Sequence, residues 1–293
     1  MYRIIFVTVI SLSMFCADST VLRSNTSVLE QEYGPTTNHF PLESIIDLAT
    51  NRSMVDGNNQ EILPVRRRKR MVGSYVVNDY DYPYVVSLKS SHSHRCGGTI
   101  LTPRLILTAA HCIKAKDSIS HVEVSGENGK ERYPVTKKIS HPNYQIGIYD
   151  KHDIGVVLLG ERIPNAHIVS LQPHPQRVRD RSEAYAFGWG QTGNGFTSQE
   201  LRRADLPLLL PSQCENKPGH NVAWVCIDSS KADTCPGDSG GPLMYKNKQV
   251  GITSHGKYPA NYKGPKCKPG FLSFFTRVSF YYDWIQRYIE LYP

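Results

Sequence analysis

The chain has 293 residues, of which 40% are hydrophobic, 10% aromatic and 20% charged, and its formal net charge is +8. That length supports one full core of about 200–250 residues or two smaller ones. Its 22 Gly and 19 Pro are evenly spread, and its longest apolar run lies near residues 4–16, shorter than the ~20 residues of a membrane-spanning helix. A collagen, a wholly disordered chain and a multi-pass membrane protein are thereby excluded.

Taken in chain order, the first segment has the form of an export signal. Arg3 supplies the positive start, Ile4 to Cys16 the apolar stretch, and the small residues Ala17 and Ser19 the cleavage region, so residues 1–19 read as a signal peptide cut near 17–19. Export makes disulfides permissible. Seven cysteines are present; without Cys16 six remain, Cys96, Cys112, Cys214, Cys226, Cys235 and Cys267. Six cysteines allow about fifteen pairings.

Residues 20–70 are polar and hold the turn pairs Gly34-Pro35 and Asp56-Gly57. Asn25 and Asn51 each open a glycosylation acceptor pattern, which favours exposed chain. Pro41 to Thr50 could make a short amphipathic helix, but the stretch as a whole reads as a largely disordered propeptide. It ends in Arg66-Arg67-Arg68-Lys69-Arg70, a basic processing site rather than a nucleic-acid patch in an exported chain. Residues 1–70 hold 8 Lys/Arg against 7 Asp/Glu, whereas residues 71–293 hold 26 against 19.

From residue 71 onward the texture is all-β. Short apolar runs recur between turn signals at Tyr84–Leu88, Gly98–Leu101, Leu105–Ala110, Val122–Val124, Ile154–Leu159, Ala184–Trp189, Leu206–Leu210, Pro242–Tyr245 and Val250–Ser254. This spacing predicts barrels or sandwiches rather than βαβ units. Val278–Leu291 is the exception. There Tyr281, Trp284, Ile285, Tyr288 and Ile289 recur three or four apart and predict a terminal helix with one apolar face.

Three segments carry chemistry: Leu107-Thr108-Ala109-Ala110-His111-Cys112, His152-Asp153-Ile154-Gly155, and Asp233-Thr234-Cys235-Pro236-Gly237-Asp238-Ser239-Gly240-Gly241-Pro242. Singly, His111 reads as a core histidine, Asp153 as a strand-end residue and Ser239 as a loop residue. Together they are the three types a hydroxyl nucleophile needs. An imidazole takes the serine proton, and a carboxylate fixes the imidazole's tautomer and stabilises its charge.

These residues give residues 71–293 a resemblance to the trypsin/chymotrypsin family of serine proteases. The matching segments are MVGS at residue 71, CGGTIL, LTAAHC, DIGVVLL, FGWGQT, DTCPGDSGGPLM and ITSHG. The resemblance implies two six-stranded antiparallel β-barrels packed at right angles, with a C-terminal α-helix and a catalytic cleft between the barrels. It implies Ser239 as nucleophile, His111 as general base and Asp153 as orienting carboxylate, with the N–H groups of Gly237 and Ser239 as oxyanion hole. Asp233, Ser254 and Gly256 become substrate-binding residues, and the carboxylate of Asp233 selects Arg or Lys before the scissile bond. The implied bridges are Cys96–Cys112, Cys214–Cys226 and Cys235–Cys267; Ala184 and Tyr245 stand where a further bridge of the family would be.

Activation is implied by the same likeness. Cleavage after Arg70, by a furin-like or trypsin-like protease, frees the Met71 amine to pair with Asp238. The expected protein is a secreted, extracellular, monomeric endopeptidase acting on protein or peptide substrates and open to protein inhibitors. Neither cofactor, metal, nucleic acid nor membrane enters the expectation. Chymotrypsin- or elastase-like specificity is the alternative, and a non-catalytic homologue acting by binding is a further one. Three departures stand out: His255 replaces the usual Trp, Lys257–Lys266 lengthens the loop after Gly256, and Pro269–Phe274 is expanded. The last leaves open which residue forms the pocket wall opposite Gly256. His92-Ser93-His94-Arg95-Cys96 has the look of metal ligands, but Cys96 is expected in a bridge.

Overall fold

The computed structural model describes residues 54–55, 61–62 and 73–293, apart from 92, 116–118, 127–128, 146–150, 176–180, 193–194, 215–221, 259–260 and 265–269. The signal, Asn25, Asn51, the helix considered at Pro41–Thr50, the Arg70–Met71 junction and Cys267 lie outside the described residues. Two compact units divide the chain, Met1–Pro64 and Val65–Pro293. In the first, β1 (Met54–Val55) pairs antiparallel with β2 (Glu61–Ile62), Met54 opposite Ile62.

The second unit is built from β3 (Ser74–Val76), β4 (Val85–Ser90), β5 (Ser93–Thr102), β6 (Leu105–Thr108), β7 (His121–Gly126), β8 (Gly129–Ser140) and β9 (Gly155–Leu159), then β10 (Ser182–Gly188), β11 (Arg202–Leu208), β12 (Trp224–Asp228), β13 (Pro242–Tyr245), β14 (Lys248–Lys257) and β15 (Leu272–Arg277). The helices are α1 (Ala110–Lys114), α2 (Pro211–Cys214) and α3 (Tyr282–Leu291). Strands β4-β5-β6-β9-β8-β7 close one six-stranded antiparallel barrel, β7 returning to β4. The order β10-β13-β14-β15-β12-β11, with β10 pairing β11, closes a second, and β3 adds to β11. Closure leaves no long open edge, which suits strands whose side chains are apolar on the interior.

Leu88, Ile100, Leu105, Leu107, Val122 and Leu159 are fully buried in the core that includes the first barrel. Ala184, Leu206, Ile227, Leu243, Tyr245 and Phe275 form a second cluster. Ala184 and Tyr245 both belong to it, so this corner is packed by apolar contact where the family has a bridge. The terminal helix forms with Ile285 fully buried and Trp284, Tyr288 and Ile289 against the first core. Its first turn differs from expectation: Val278–Phe280 is a 3-10 turn. The bridges Cys96–Cys112 and Cys214–Cys226 are formed.

Candidate active site

Strand β6 (LILT) is buried at every position and runs straight into α1, so His111 emerges in the first turn of a short helix anchored by the Cys112–Cys96 bridge. Asp153 lies two residues before the start of β9, which pairs with β6 so that Thr108 lies opposite Gly155. That pairing brings the two side chains together. The His111 Nδ1 donates to Asp153 Oδ2 at 2.7 Å, and the His111 backbone N–H donates to Oδ1 at 2.9 Å. Ser254 Oγ also donates to Oδ2, at 2.7 Å.

Burial pushes the Asp153 carboxyl up, but the His111 bonds and charge and the Ser254 hydroxyl outweigh it and hold the group below the usual carboxylate range. An ionised carboxylate only accepts hydrogen bonds. Nδ1 therefore carries the proton, and the lone pair of neutral His111 is on Nε2. Ser254, expected as a substrate-binding residue, lines the cleft but spends its hydroxyl on Asp153.

Ser239 is seated by its backbone. Its carbonyl accepts from Gly97 N–H at 2.8 Å, and the Gly97 carbonyl accepts from Thr108 Oγ1 at 2.9 Å, three residues before His111. Around Ser239 two further loop carbonyls are held by backbone N–H groups. The Pro236 carbonyl accepts from Gln191 N–H at 2.8 Å, and the Asp238 carbonyl accepts from Gly241 N–H at 3.0 Å. All described peptides are trans, so each of these bonds aims the N–H on the opposite side of its peptide plane: that of Gly237 and that of Ser239. Neither N–H is spent on a hydrogen bond among the described residues. Gly237 holds φ +100°, a conformation costly to a residue with a Cβ.

His94 is a participant that the sequence reading set aside as a metal-like pattern. Its Nε2 donates to the Gly237 carbonyl at 2.7 Å, and its Nδ1 accepts from Ser87 Oγ at 2.8 Å. Burial lowers its pKa to about 4, so the ring is neutral and its tautomer is set by these two partners. Ligand-type atoms of Cys96, His111 and Cys112 lie within 4.8 Å of one another, but both sulfurs are bridged and offer no thiolate.

Ser239 borders a cleft of about 300 Å³ lined also by Thr234, Pro236, Ser254, Gly256 and Tyr258. Next to Thr234, Asp233 is fully buried. Its Oδ1 accepts from Ser273 Oγ at 2.5 Å and from Thr234 N–H at 2.8 Å, while Oδ2 is buried without a hydrogen-bond partner among the described residues. Burial raises its pKa to about 6 against the pull of those two donors. Asp238 is also buried, its Oδ1 accepting from Gly190 N–H at 2.7 Å and its Oδ2 from Cys235 N–H at 2.8 Å. Burial raises it to about 7. His255, in place of the usual Trp, stacks on Phe274 with ring centroids 5.1 Å apart and meets Trp224 edge-on at 5.5 Å.

Two closed antiparallel barrels, with a carboxylate-held imidazole on one and a serine loop with two aimed N–H groups on the other, define a serine hydrolase of the two-barrel class. Residues 71–285 match the trypsin family. Anionic trypsin of Canis lupus familiaris is 31% identical over 229 residues, covering 75% of this chain and 90% of that protein. Ovochymase of Halocynthia roretzi is 29% identical over 239 residues, covering 74% of this chain but only 15% of that longer protein. Among solved structures, human heparin binding protein superposes with a TM-score of 0.63 at 22% identity, over 74% of this chain and 95% of that one, a likeness of fold. The chain belongs to the trypsin family and is a serine endopeptidase.

Proposed function

We propose that the chain is secreted, that cleavage after Arg70 activates it, and that the mature enzyme hydrolyses peptide bonds after Arg or Lys. The observation that carries the specificity is Asp233: a buried carboxylate beside the cleft, with one oxygen lacking a hydrogen-bond partner among the described residues. Leaving such a charge unpaired is costly, and a substrate cation entering the cleft relieves that cost. Export is supported by the apolar stretch after Arg3 and by two formed disulfides. No helix among the described residues is long and apolar enough to cross a membrane.

In this reading Ser239 Oγ attacks the scissile carbonyl carbon while its proton passes to His111 Nε2. The N–H groups of Gly237 and Ser239 receive the oxyanion, each contributing about 3–4 kcal/mol. As the C–N bond breaks, the imidazolium returns the proton to the leaving amine, and water then releases the acyl group by the reverse roles. Asp153 keeps the imidazole oriented throughout and stabilises its positive charge.

A second reading, cleavage after an apolar residue, is favoured by the complete burial of Asp233 and by Tyr258 in the cleft wall. A positional-scanning peptide library on the mature enzyme separates the two. Arg or Lys should dominate, and Asp233→Ser should abolish the preference; wild-type cleavage after Phe or Leu as readily as after Lys and Arg overturns the first reading. Labelling by a fluorophosphonate, lost in Ser239→Ala, tests the nucleophile in the same preparations.

A further inference from the structure

We propose that Ser273 is a specificity-determining residue that makes this enzyme favour Lys over Arg before the scissile bond, an inference that rests on Asp233 receiving the substrate cation. Strand β14 carries a register shift between Thr253 and His255, after which Gly256 pairs with Ser273 of β15. Ser273 is therefore on the strand facing Gly256 of the cleft wall, and its buried hydroxyl reaches the carboxylate that the substrate must find.

The two oxygens of Asp233 are not equivalent. Oδ1 already accepts two hydrogen bonds, from Ser273 and Thr234; Oδ2 accepts none among the described residues. A guanidinium is a rigid planar fork that gains most when two parallel N–H groups meet both oxygens of a carboxylate. Here the fork would have to displace the Ser273 hydroxyl or accept a one-sided contact. An ammonium is a compact point charge with three donors. It can donate to Oδ2 and also to the lone pair of Ser273 Oγ, whose own proton stays on Oδ1. The hydroxyl thus adds an acceptor for Lys and removes a docking site for Arg. It also takes up volume that the wider guanidinium needs.

The test compares matched peptide anilides ending in Lys, Arg or Phe on wild type, Ser273→Gly and Ser273→Ala. Ratios of kcat/KM within one preparation do not depend on how much of the enzyme is active. Wild type should favour Lys over Arg by about tenfold, a difference typical of one altered pocket contact. Ser273→Gly should move the ratio about tenfold or more toward Arg, and Ser273→Ala should move it part of the way. Benzamidine, whose amidinium is also a planar fork, should bind more tightly to Ser273→Gly than to wild type by a similar factor. Should the glycine variant fail to fold, the alanine variant, with its near-native volume, carries the comparison. An Arg preference in wild type, or a ratio unmoved by either substitution, overturns the role of Ser273 while leaving cation selection by Asp233 standing. Preference for Phe over both cations overturns the reading of Asp233, and this inference with it.

Discussion

Ionisation of Asp238 should control the stability of the uncut chain in a pH-dependent way. Asp238 is 1% exposed, its carboxyl is raised from 3.8 to about 7 by burial, and it has no ion pair among the described residues. A shift of about three units corresponds to about 4 kcal/mol, at 1.36 kcal/mol per unit. A carboxyl whose folded pKa lies above its unfolded value favours folding at pH values below the unfolded one. That contribution is lost as the pH rises through the folded value. The uncut chain should therefore lose about 4 kcal/mol between pH 4 and pH 8 through this group. Asp238→Asn supplies a neutral side chain of nearly the same shape; it keeps an acceptor for one of the N–H groups of Gly190 and Cys235 and turns a donor-only amide nitrogen to the other, a loss that does not change with pH. Urea unfolding followed by tryptophan fluorescence would be measured at several pH values, with Arg70→Ala, Lys69→Ala and Ser239→Ala in the background to prevent cleavage. Asp233, raised in the same direction, is present in both proteins; its repulsion of the ionised Asp238 is present in wild type alone and adds to the same fall. Wild type should fall toward the Asn variant or below it as the pH rises. Parallel pH profiles for the two would refute the argument that Asp238 awaits a cation, and with it the role given to the Met71 amine.

Two further expectations concern the machinery itself. Asp153→Asn should lower kcat by about 10⁴, because the amide allows the wrong tautomer of His111, whereas Ser254→Ala should cost only about tenfold to a hundredfold, since it removes one hydrogen bond to a charged group; equal losses on a common anilide substrate would contradict the geometry. A Cβ at Gly190 would stand 2.4 Å from the Asp238 carboxylate, so Gly190→Ala should destabilise the fold by about 1–3 kcal/mol and reduce the fraction of enzyme titratable by an active-site reagent. Full titration with an unchanged melting temperature would show that the loop around Asp238 yields more easily than its packing implies.

Strands with an uninterrupted apolar interior were legible from the chain alone. LILT at Leu105–Thr108 and PLMY at Pro242–Tyr245 are buried at every position, and their apolar runs mark them without any tertiary information. Strand β8 was not. GKERYPVTKKIS is exposed at half its positions, with only Tyr133 buried, and it holds a proline. It forms because β7 and β9 supply hydrogen-bonding edges on either side, a long-range cause that a local pattern does not carry. Strands β12 and β15 escaped for a related reason. Each follows a Pro-Gly pair in the sequence, Pro218-Gly219 and Pro269-Gly270, but Cys226 and Phe274 find their partners across the sheet rather than along the chain.

In the candidate site, residue types and order marked His111, Asp153 and Ser239, because acyl-transfer chemistry demands those groups whatever their spacing, and the structure joins the first two by a hydrogen bond. The supporting residues depend instead on register. With unbroken pairing from Thr253 opposite Phe275, Gly256 would meet Leu272; the shift at Thr253/His255 brings Ser273 there instead. One extra residue in the strand has two effects. Ser254, the residue passed over in the pairing, sends its hydroxyl to Asp153, while the next turn of the pleat sets a hydroxyl rather than a leucine opposite Gly256. A bulge beside an active site re-aims side chains in this way, and because the side-chain period of a strand is two, a single inserted residue exchanges the faces of everything beyond it. Both the bond from Ser254 to the Asp153 carboxylate and the pairing of Ser273 with Gly256 follow from that shift. Ser273 does not differ, as a residue in the sequence, from a serine with no role, and the likeness that marked Ser254 gave it a place in the cleft rather than a bond to Asp153.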